Sequence, residues 1–313
     1  MTVDEMTTVD MDKASVAITE VVMRDGLQDL ESVVPTPRKL EMVDALIDAG
    51  LRRIEIGAFV SVERVPQMAD TSTLLERVPR QADVRYGALV FNRRGARLAL
   101  DGGADEIRLV VSASEAHCRA NTRKTVEEAL GCCLDALEVV AAAEKPPSVV
   151  ASIATAFVCP WEGAIESSKV VRLVSAFRDS GVDTVCLADT LGAADPARLR
   201  RSIEAVQERV PDVRLGLHLH DTHGMALACA WEALKLGVRS FDSALGGFGG
   251  CPFAPGAEGN VATEDLVGLL SSVDAATGVD LEKALIACGV LEDITGARSR
   301  ARRRRGIMPQ LAS

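Results

Sequence analysis

Eight short runs of β-branched and aliphatic residues recur along this chain, and most are followed by a longer stretch with helical periodicity. Consecutive runs begin roughly 20 to 40 residues apart, which is typical of repeated βα units in a parallel sheet. The predicted strands are 16–22, 53–57, 84–90, 106–111, 148–155, 184–188, 214–220 and 240–245. Two of the intervening helices are predicted at 38–49 and 125–143.

The boundaries of the helical stretches support a repeated unit. Gly50, Gly103, Gly181 and Gly237 each follow a helical stretch and precede the next predicted strand. Glycine is favoured at that place because the residue after a helix often takes a left-handed conformation. Thr36 is predicted to cap a helix N-terminus, with Pro37 at the first helical position.

Eight βα units can close into a barrel or remain an open, doubly wound sheet. No GxGxxG motif follows the first predicted strand, which argues against a dinucleotide-binding open sheet. Polar residues gather at the C-terminal ends of several strands, where barrels keep their active sites. We therefore predict an α/β fold, a (β/α)8 TIM barrel with additional C-terminal helices between 281 and about 301. Residues 1–15 are expected to form a disordered tail, and 16–313 one catalytic domain with a helical extension from about 279.

Composition agrees with this fold and narrows the partners. Aromatic residues make up only 3% of the 313 residues, so the core must be built from Val, Leu, Ile and Ala, as in sheets buried on both faces. The net charge of −10 argues against nucleic acid and anionic membranes as partners. The arginine-rich segment 298–305 is the exception, and it is either a solvated C-terminal segment or a nucleic-acid- or anion-binding tail.

The chain also carries hints about its compartment. Its eight cysteines include no CxxC pair, which favours a reducing, cytoplasmic location. The acidic N-terminus has no apolar segment typical of a signal peptide, and no apolar run is long enough to span a bilayer.

The sharpest local motif is the run Arg214-Leu-Gly-Leu-His218-Leu-His220-Asp221. Alternate residues of a strand face the same side, so His218 and His220 are predicted to face the barrel interior. Two imidazoles about 7 Å apart on one strand face can bind one metal ion. A hydrogen-bonded pair of core histidines is the alternative, but three of the four histidines lie within six positions here, which favours a site.

A second candidate follows the first predicted strand, at Arg24-Asp25-Gly26. Asp25 offers a hard carboxylate oxygen and Arg24 a permanent cation with a planar set of donors, although a capped turn with a surface ion pair would look the same. Glu55 lies inside the apolar second strand and needs a partner, because unpaired burial of a carboxylate is unfavourable. Arg24 is the predicted partner, since the first two strands are neighbours in a barrel.

Two further polar positions follow later strands. Asp189 ends the sixth predicted strand and is expected either to support the site or to cap a helix. Six glycines lie between Gly246 and Asn260, which is typical of a loop that approaches a ligand, although a plain flexible connector is the alternative. In this loop Cys251 can act as a thiol acid or base, and Asn260 can offer an amide oxygen to a metal.

Four of these segments together resemble the 3-hydroxy-3-methylglutaryl-CoA lyase family, a group of metal-dependent TIM barrels. They are RDGLQ at 24–28, FVSVERVPQMAD at 59–70, GLHLHDTHG at 216–224 and GGCPFAPGAEGNVATEDL at 249–266. The resemblance implies a lyase that cleaves a 3-hydroxyacyl-CoA thioester. It also implies a divalent cation, Mg2+ or Mn2+, bound by Asp25, His218, His220 and Asn260, a set of oxygen and nitrogen ligands that suits such ions.

The resemblance further implies roles for the other polar residues. Arg24 is expected to stabilise the enolate of the departing acetyl-CoA, with Glu55 orienting Arg24. Asp189 is expected to support the site. Cys251 is expected to enter on a closing loop, and either Cys251 or His218 is expected to carry protons.

An acyl-CoA contact region is expected after the fourth strand, by the same resemblance. Ser112, Asn121 and Arg123 are the predicted CoA-binding residues, and His117 and Arg119 can also meet CoA phosphates. A solvated basic loop is the alternative. The family is also expected to form homodimers.

Some alternatives stay open at this point. Val62 stands where family members usually have proline, so a longer or branched 3-hydroxyacyl-CoA, or citramalyl-CoA, is a possible substrate. A Claisen-type synthase of the isopropylmalate or citramalate group shares the barrel, but RDGLQ in place of RDGEQ and the cysteine loop argue against it. A barrel that binds CoA without catalysis is the third reading.

Overall fold

Eight parallel strands close into a barrel in the computed structural model, which describes residues 15–250 and 258–307, with side chains described only as far as residue 304. The strands follow chain order around the barrel, and the first pairs with the last. They are β1 (Ala17–Glu20), β2 (Arg53–Phe59), β3 (Arg85–Val90), β4 (Glu106–Ser112), β5 (Ser148–Ala154), β6 (Thr184–Asp189), β7 (Arg214–Leu219) and β8 (Ser240–Ser243). All eight predicted strands and the predicted TIM barrel are confirmed.

Helices cover the outside of this barrel. They are α1 (Thr36–Asp48), α2 (Thr71–Arg77), α3 (Arg93–Asp101), α4 (Glu115–Thr122), α5 (Val126–Ala141), α6 (Ser167–Asp179), α7 (Pro196–Arg209), α8 (Ala226–Lys235), α9 (Thr263–Ser271), α10 (Leu281–Thr295) and α11 (Arg302–Ile307). A short antiparallel hairpin, Val158–Cys159 with Gly163–Ala164, follows β5. No helix of the described residues is long and apolar enough to cross a membrane.

The four glycines have the helix-ending conformation that the sequence predicts, but the predicted helix cap at Thr36 is wrong. Gly50, Gly103, Gly181 and Gly237 all have positive φ, between 72° and 89°. Thr36 is not the N-cap that the sequence predicts, because α1 begins at Thr36 itself. Its hydroxyl instead donates a 2.7 Å hydrogen bond to Asp70 Oδ2.

Strands β1, β7 and β8 end earlier than predicted, at the face where the site lies. After β1 the chain forms a turn of π-helix, Val22–Gly26, and after β8 a 3-10 turn, Leu245–Gly247. Beyond β7, His220 forms an isolated bridge with Asn260. Irregular backbone at the ends of regular strands is how a barrel turns polar groups into its mouth.

A close backbone approach shapes β2 beside Glu55. The register between β2 and β3 shifts between Glu55 and Gly57. A Cβ atom on Gly57 would lie 2.4 Å from Thr71 Oγ1, so only glycine fits there. The Thr71 hydroxyl fills the space and donates to the carbonyl oxygen of Ala58, 3.2 Å away. This local irregularity fits a strand that carries a buried functional carboxylate.

The predicted C-terminal helices are present as α10 and α11, and α10 packs beside α1 and α9. The segment 298–304 is not the solvated tail that its arginines suggest. The backbone N–H groups of Arg302 and Arg303 donate to the carboxylate of Asp265 at 2.8 and 2.9 Å. Arg304 Nη2 lies 3.1 Å from Glu292 Oε2. The backbone of this segment is therefore docked on the barrel, although several of its guanidinium groups are exposed.

The predicted tail, residues 1–15, lies outside the described residues except for its last position. The assignment of 16–313 to one domain stays a prediction.

A buried lysine fixes the segment that follows β2. Lys39 on α1 is 1% exposed. Its Nζ donates to the carbonyl oxygen of Gln67 at 2.5 Å and to Asp70 Oδ1 at 2.6 Å. Gln67 in turn donates from its amide to the carbonyl oxygen of Leu30. These bonds attach the loop 60–70 to the outer helices.

Replacing Lys39 with methionine is expected to lower the free energy of unfolding by about 2–4 kcal/mol. The change keeps the volume but leaves the Asp70 carboxylate without its cation, and the effect is reduced because Asp70 is partly exposed. Urea denaturation of the purified variant measures it. The control is Arg38→Met, at an exposed pair with Glu41, for which a change below about 0.5 kcal/mol is expected. Equal stability of both variants would contradict a structural role for Lys39.

Candidate active site at the C-terminal mouth of the barrel

The turn after β1 carries two charged side chains into the barrel mouth. Arg24 and Asp25 lie in the π-helical turn Val22–Gly26 and are 8% and 4% exposed. Arg24 forms ion pairs with Asp25 through Nη1 and with Glu55 through Nε. The predicted pairing of Arg24 with Glu55 is confirmed, and Arg24 is held between two carboxylates.

Mutual pairing keeps both groups charged although they are buried. Burial alone would lower the pKa of Arg24, but Asp25 and Glu55 hold that pKa above its ordinary value. Burial alone would raise the pKa of Asp25, but Arg24 and the nearby histidines hold it well below its usual range. The site therefore presents a fixed cation beside a fixed carboxylate at neutral pH.

His218 and His220 both turn into the mouth, as the alternation along β7 predicts. Their Nε2 atoms lie 3.2 Å apart. Asp25 Oδ2 lies 3.9 Å from His218 Nε2 and 3.6 Å from His220 Nε2. One potential ligand atom from each of the three residues lies within 4.8 Å of the other two.

The outer ring nitrogens are held by other acceptors. His218 Nδ1 is 3.2 Å from Asp242 Oδ2, and His220 Nδ1 is 2.9 Å from the carbonyl oxygen of Glu258. In the tautomer that carries its hydrogen on Nδ1, each ring donates to its outer acceptor and directs the Nε2 lone pair toward Asp25. This is the arrangement that metal-binding histidines usually have.

Asn260 completes the group from the far end of the glycine-rich segment. Its Nδ2 donates to Asp25 Oδ2 at 2.7 Å and to the carbonyl oxygen of Phe248 at 2.9 Å. Its Oδ1 is buried and has no hydrogen-bond partner among the described residues. Gly249 lies against it, since a Cβ there would be 2.5 Å from Asn260 Nδ2.

The residues present fit a divalent cation. A carboxylate oxygen, two imidazole nitrogens and an amide oxygen are suitable ligands for Mg2+ or Mn2+. An unpartnered buried amide oxygen is unfavourable by itself. A half-turn of the Asn260 amide would place this oxygen, instead of Nδ2, beside Asp25 Oδ2, where a cation would satisfy it. The structure thus brings together all four residues of the predicted ligand set.

A cavity of about 980 Å³ opens from this group toward the loops that follow β2, β3 and β4. Apolar side chains such as Val65, Met68 and Phe91 line it, and Arg24 and His218 lie at its inner end. Arg64, Arg94 and Lys124 supply positive charge along its walls. Its apolar lining and the positive charges along its walls suit a partly anionic molecule.

The predicted CoA-binding residues separate into two groups. Asn121 lines the cavity. Ser112 does not line it, and its hydroxyl is bonded to Thr155 Oγ1 at 2.7 Å and to His117 Nδ1 at 3.1 Å. Arg123 does not line it either and ends α4 in a left-handed conformation with φ of 61°. Ser112 and Arg123 thus have contacts within the protein, and their binding of CoA stays a prediction.

His117 lines the cavity but offers no positive charge near neutral pH. Burial lowers its pKa to about 4. The sequence signal, a histidine among arginines, did not reveal that the ring is 1% exposed.

Asp189 braces the backbone of the loop after β6. Its carboxylate accepts hydrogen bonds from the backbone N–H groups of Ala193 at 3.3 Å and Ala194 at 2.9 Å. The backbone N–H of His220 donates to the Asp189 carbonyl oxygen at 3.3 Å. These bonds do not cap a helix, because the N-cap of α7 is Asp195, whose side chain accepts from the Arg198 N–H. That Asp189 supports the site stays a prediction.

Two charged residues of the site were missed by the sequence analysis. Arg108 on β4 lies 2.7 Å from Glu55 Oε2 and 2.6 Å from Asp242 Oδ2. Asp242 on β8 bonds to His218, as described above. Both are charged residues inside apolar strands, which is the pattern that identified Glu55 as a candidate. Cys251 lies outside the described residues.

Comparisons with known proteins agree with this geometry. A family model described as HMGL-like matches residues 15–288. A hydroxymethylglutaryl-CoA lyase of Bacillus subtilis is 40% identical over 90% of this chain and 93% of its own length. The solved structure of a Bacillus subtilis HMG-CoA lyase has a TM-score of 0.89 and 38% identity, and covers 94% of this chain and 98% of that one. An HMG-CoA lyase from Acinetobacter baumannii, solved in complex with coenzyme A and 3-methylmalate, has a TM-score of 0.88 and 35% identity over 93% of this chain and 94% of that one.

Two buried glutamates hold the backbone where the glycine-rich segment begins. Glu20 Oε1 accepts hydrogen bonds from the N–H groups of Val22 at 2.8 Å and Leu245 at 3.0 Å. Glu264 accepts one from the N–H of Gly246, with the shorter distance 2.9 Å. Burial raises the pKa of Glu20 to about 8 and the pKa of Glu264 to about 7.

Stability is expected to fall as the pH rises from about 4.5 to about 8. In this window the folded protein keeps protons on these carboxyls that the unfolded chain has lost, so raising the pH favours unfolding. Each proton contributes at most about 1.4 kcal/mol per pH unit. Glu20→Gln is expected to reduce the slope of the free energy of unfolding against pH up to about pH 8. Glu264→Gln is expected to reduce the same slope up to about pH 7. Urea denaturation across pH 5–9 measures this, and parallel profiles for wild type and both variants would rule it out.

Proposed function

The chain belongs to the HMGL-like family of carbon–carbon lyases, and we propose that it cleaves 3-hydroxy-3-methylglutaryl-CoA, or a close 3-hydroxyacyl-CoA, to acetyl-CoA and a 3-oxo acid. For the methylglutaryl substrate the second product is acetoacetate. The observation that carries the proposal is the convergence of Asp25, His218 and His220 beside a buried, doubly paired Arg24.

Asp25, His218, His220 and Asn260 are proposed to hold the divalent cation, Mg2+ or Mn2+. When bound, such a cation acidifies a hydroxyl group of the substrate and so favours loss of its proton. Asp242 and the carbonyl oxygen of Glu258 orient the two imidazoles from behind. The preformed Nε2 positions lower the reorganisation needed for binding.

Arg24 is proposed to receive the negative charge that the reaction creates. The C3 hydroxyl loses its proton and becomes a ketone, and the electron pair of the C2–C3 bond moves into the thioester as an enolate. A guanidinium fixed between Asp25 and Glu55 needs no rearrangement to stabilise the enolate oxygen. Protonation of the enolate at C2 then gives acetyl-CoA.

Proton transfer is assigned to Cys251, or to His218 in a step in which its Nε2 is not bound to the cation, because Nδ1 is held by Asp242. His218 lies within the cluster, and its Nε2 faces the other ligands. The role of Cys251 rests on the family resemblance of the segment GGCPFAPGAEGN. Asp189 is proposed to act indirectly, by fixing the backbone next to His220.

The cavity is proposed to take the acyl-CoA. The Acinetobacter relative was solved with coenzyme A, and this chain presents Arg64, Arg94 and Lys124 along a cavity of about 980 Å³. Asn121 is proposed to contact the acyl-CoA directly, with Ser112 and Arg123 holding the loop that presents it. Val62 lines the same cavity and is half exposed, so it is placed to affect which acyl or pantetheine group fits. A homodimer and a cytoplasmic location stay predictions from the sequence.

Purified protein with Mg2+ or Mn2+ is expected to release acetyl-CoA and acetoacetate in equal amounts from 3-hydroxy-3-methylglutaryl-CoA, and EDTA is expected to stop the reaction. Arg24→Gln removes the cation that meets the enolate, so kcat is expected to fall by about 10²–10³-fold. Arg38→Gln, on the exposed face of α1, is the control and should retain activity. Product analysis by liquid chromatography and mass spectrometry measures all of these.

The same assay separates the alternatives. The panel includes citramalyl-CoA and 3-hydroxyglutaryl-CoA esters with longer 3-alkyl groups. Condensation of acetyl-CoA with a 2-oxo acid, with release of free CoA and no cleavage of any ester in the panel, would show a synthase instead of a lyase.

Metal binding can be tested without turnover. His220→Ala is expected to weaken Mn2+ binding by more than the roughly 10–100-fold that loss of an outer partner causes. His223→Ala is the matched control, since His223 is exposed and three residues away along the chain. Free Mn2+ measured by electron paramagnetic resonance gives both affinities. Equal weakening by the two variants would remove His220 from the ligand set.

A further inference from the structure

A chain of buried charged groups crosses the interior of the barrel at the inner end of the cavity, which Arg24, Arg108 and His218 all line. Arg24 pairs with Glu55, Glu55 with Arg108, Arg108 with Asp242, and Asp242 with His218. These residues come from the turn after β1 and from β2, β4, β8 and β7. At one end stands the cation assigned to the enolate, and at the other a residue assigned to the metal.

Arg108 is the centre of this chain. Its side chain is 4% exposed. Nη1 donates to Asp242 Oδ2 at 2.6 Å and to Ser152 Oγ at 3.0 Å, and Nη2 donates to Asp242 Oδ1 at 3.1 Å. Strands β4 and β8 lie on opposite sides of the barrel, so this two-pronged pair spans its interior. Only arginine offers a planar fork that can hold one carboxylate with two bonds and face a second.

Glu55 depends on Arg108 for its orientation toward Arg24. One carboxylate oxygen faces Arg24 Nε and the other lies 2.7 Å from Arg108 Nε. The contact with Arg108 is an ion pair without a hydrogen bond, and the opposite charge on each side of Glu55 favours the orientation that faces Arg24. Without Arg108, one of its buried oxygens would lose its neighbouring cation, and a carboxylate in that state reorients or takes up a proton.

Asp242 depends on Arg108 in the same way. Its Oδ2 receives the Arg108 bond and faces His218 Nδ1 at 3.2 Å. That contact keeps the Nδ1–H of His218 directed away from the cluster and its Nε2 directed into it. A displaced Asp242 would release the imidazole, and outer partners of this kind tune metal affinity by about 10–100-fold.

We propose that Arg108 is a positioning residue for the lyase reaction, which fixes Arg24 through Glu55 and His218 through Asp242 at the same time. The inference has two arms. The first arm, through Glu55 to Arg24, rests on the proposed function, whereas the second arm, through Asp242 to His218, concerns metal binding and is independent of the substrate. Arg108 thereby links the position of the enolate-stabilising cation to the geometry of the metal ligands.

Arg108→Met is the test variant, and Arg53→Met is its matched control. Arg53 also lies on a barrel strand and pairs with a buried carboxylate, Glu106 at 2.6 Å, but it is not part of the charge chain. Arg108→Met is expected to lower kcat for 3-hydroxy-3-methylglutaryl-CoA and to weaken Mn2+ binding, each by about 10–100-fold, with KM little changed. Arg53→Met is expected to lower the free energy of unfolding without changing kcat or Mn2+ affinity.

Arg108→Lys keeps the charge and is measured beside them, in case the methionine variant does not fold. Since it lacks the fork, both kcat and Mn2+ affinity should still fall.

Double variants separate the two arms. In an Arg24→Gln background, the kcat penalty for Arg108→Met is expected to shrink, because part of it acts through a side chain already removed. The Mn2+ penalty is expected to persist there, because it acts through Asp242 and His218. In an Asp242→Asn background the opposite is expected, and the Mn2+ penalty should shrink. Mn2+ binding is measured by electron paramagnetic resonance without substrate.

Three results would overturn the inference. Arg108→Met and Arg53→Met could lose kcat and Mn2+ affinity equally, which would show a purely structural role. Arg108→Met could raise KM with kcat unchanged, which would show that Arg108 binds substrate. The Mn2+ penalty could stay the same in the Asp242→Asn background, which would break the link to His218. Wild-type protein that cleaves no 3-hydroxyacyl-CoA would instead refute the proposed function, and the Mn2+ measurements would still decide the second arm.

Discussion

Burial of charge in the barrel mouth is the constraint on which the site depends. Arg24, Asp25, Glu55, Arg108 and Asp242 are all less than 9% exposed. Isolated ions cannot stay charged at such depth, so each one must lie against an opposite charge. The pairing has a geometric consequence, because a side chain that is held by two partners has one orientation. The pairing that makes burial tolerable therefore also fixes the positions that the chemistry needs.

The TIM barrel supplies these partners from segments far apart in the chain. Each strand contributes only a few inward positions near its C-terminal end, and neighbours around the barrel are consecutive units of the sequence. Two of the charge pairs connect strands that are not adjacent, β2 with β4 and β4 with β8. Early termination of β1 adds irregular backbone at the mouth, and Asp25 lies in that turn. The barrel determines which residues can face the mouth, and the irregular backbone at the strand ends adjusts where their side chains lie.

Much of the fold and part of the candidate site could be predicted from the sequence, for physical reasons. Repeated βα units and helix-ending glycines reflect local backbone preferences, so the eight strands and the barrel were predicted. Alternation along β7 predicted that His218 and His220 share a face, and the buried carboxylate of Glu55 needed a cationic partner, for which Arg24 was predicted.

Arg108 and Asp242 were missed because a charged residue in a strand can equally occupy an exposed position, and their pairing spans 134 residues. The exclusion of Ser112 from the cavity wall also depends on tertiary packing, since its partner Thr155 lies on another strand end. Thr36 lies inside α1, whose N-cap is Pro35, and its hydroxyl bonds to Asp70, which is distant in sequence.

The glycine-rich segment after β8 is joined to the site at both of its described ends. Glu20 and Glu264 hold the backbone N–H groups of Leu245 and Gly246 where it begins. Asn260, where it returns, bonds to Asp25 and to the carbonyl oxygen of Phe248. The residues of this segment therefore cannot shift at either end without moving a side chain of the proposed ligand set. Because Asp25 also pairs with Arg24, the same movement would reach the cation assigned to the enolate. The described ends of this segment, the ligand geometry and the charge chain are thus one connected arrangement, in which the Asp25 carboxylate is the shared member.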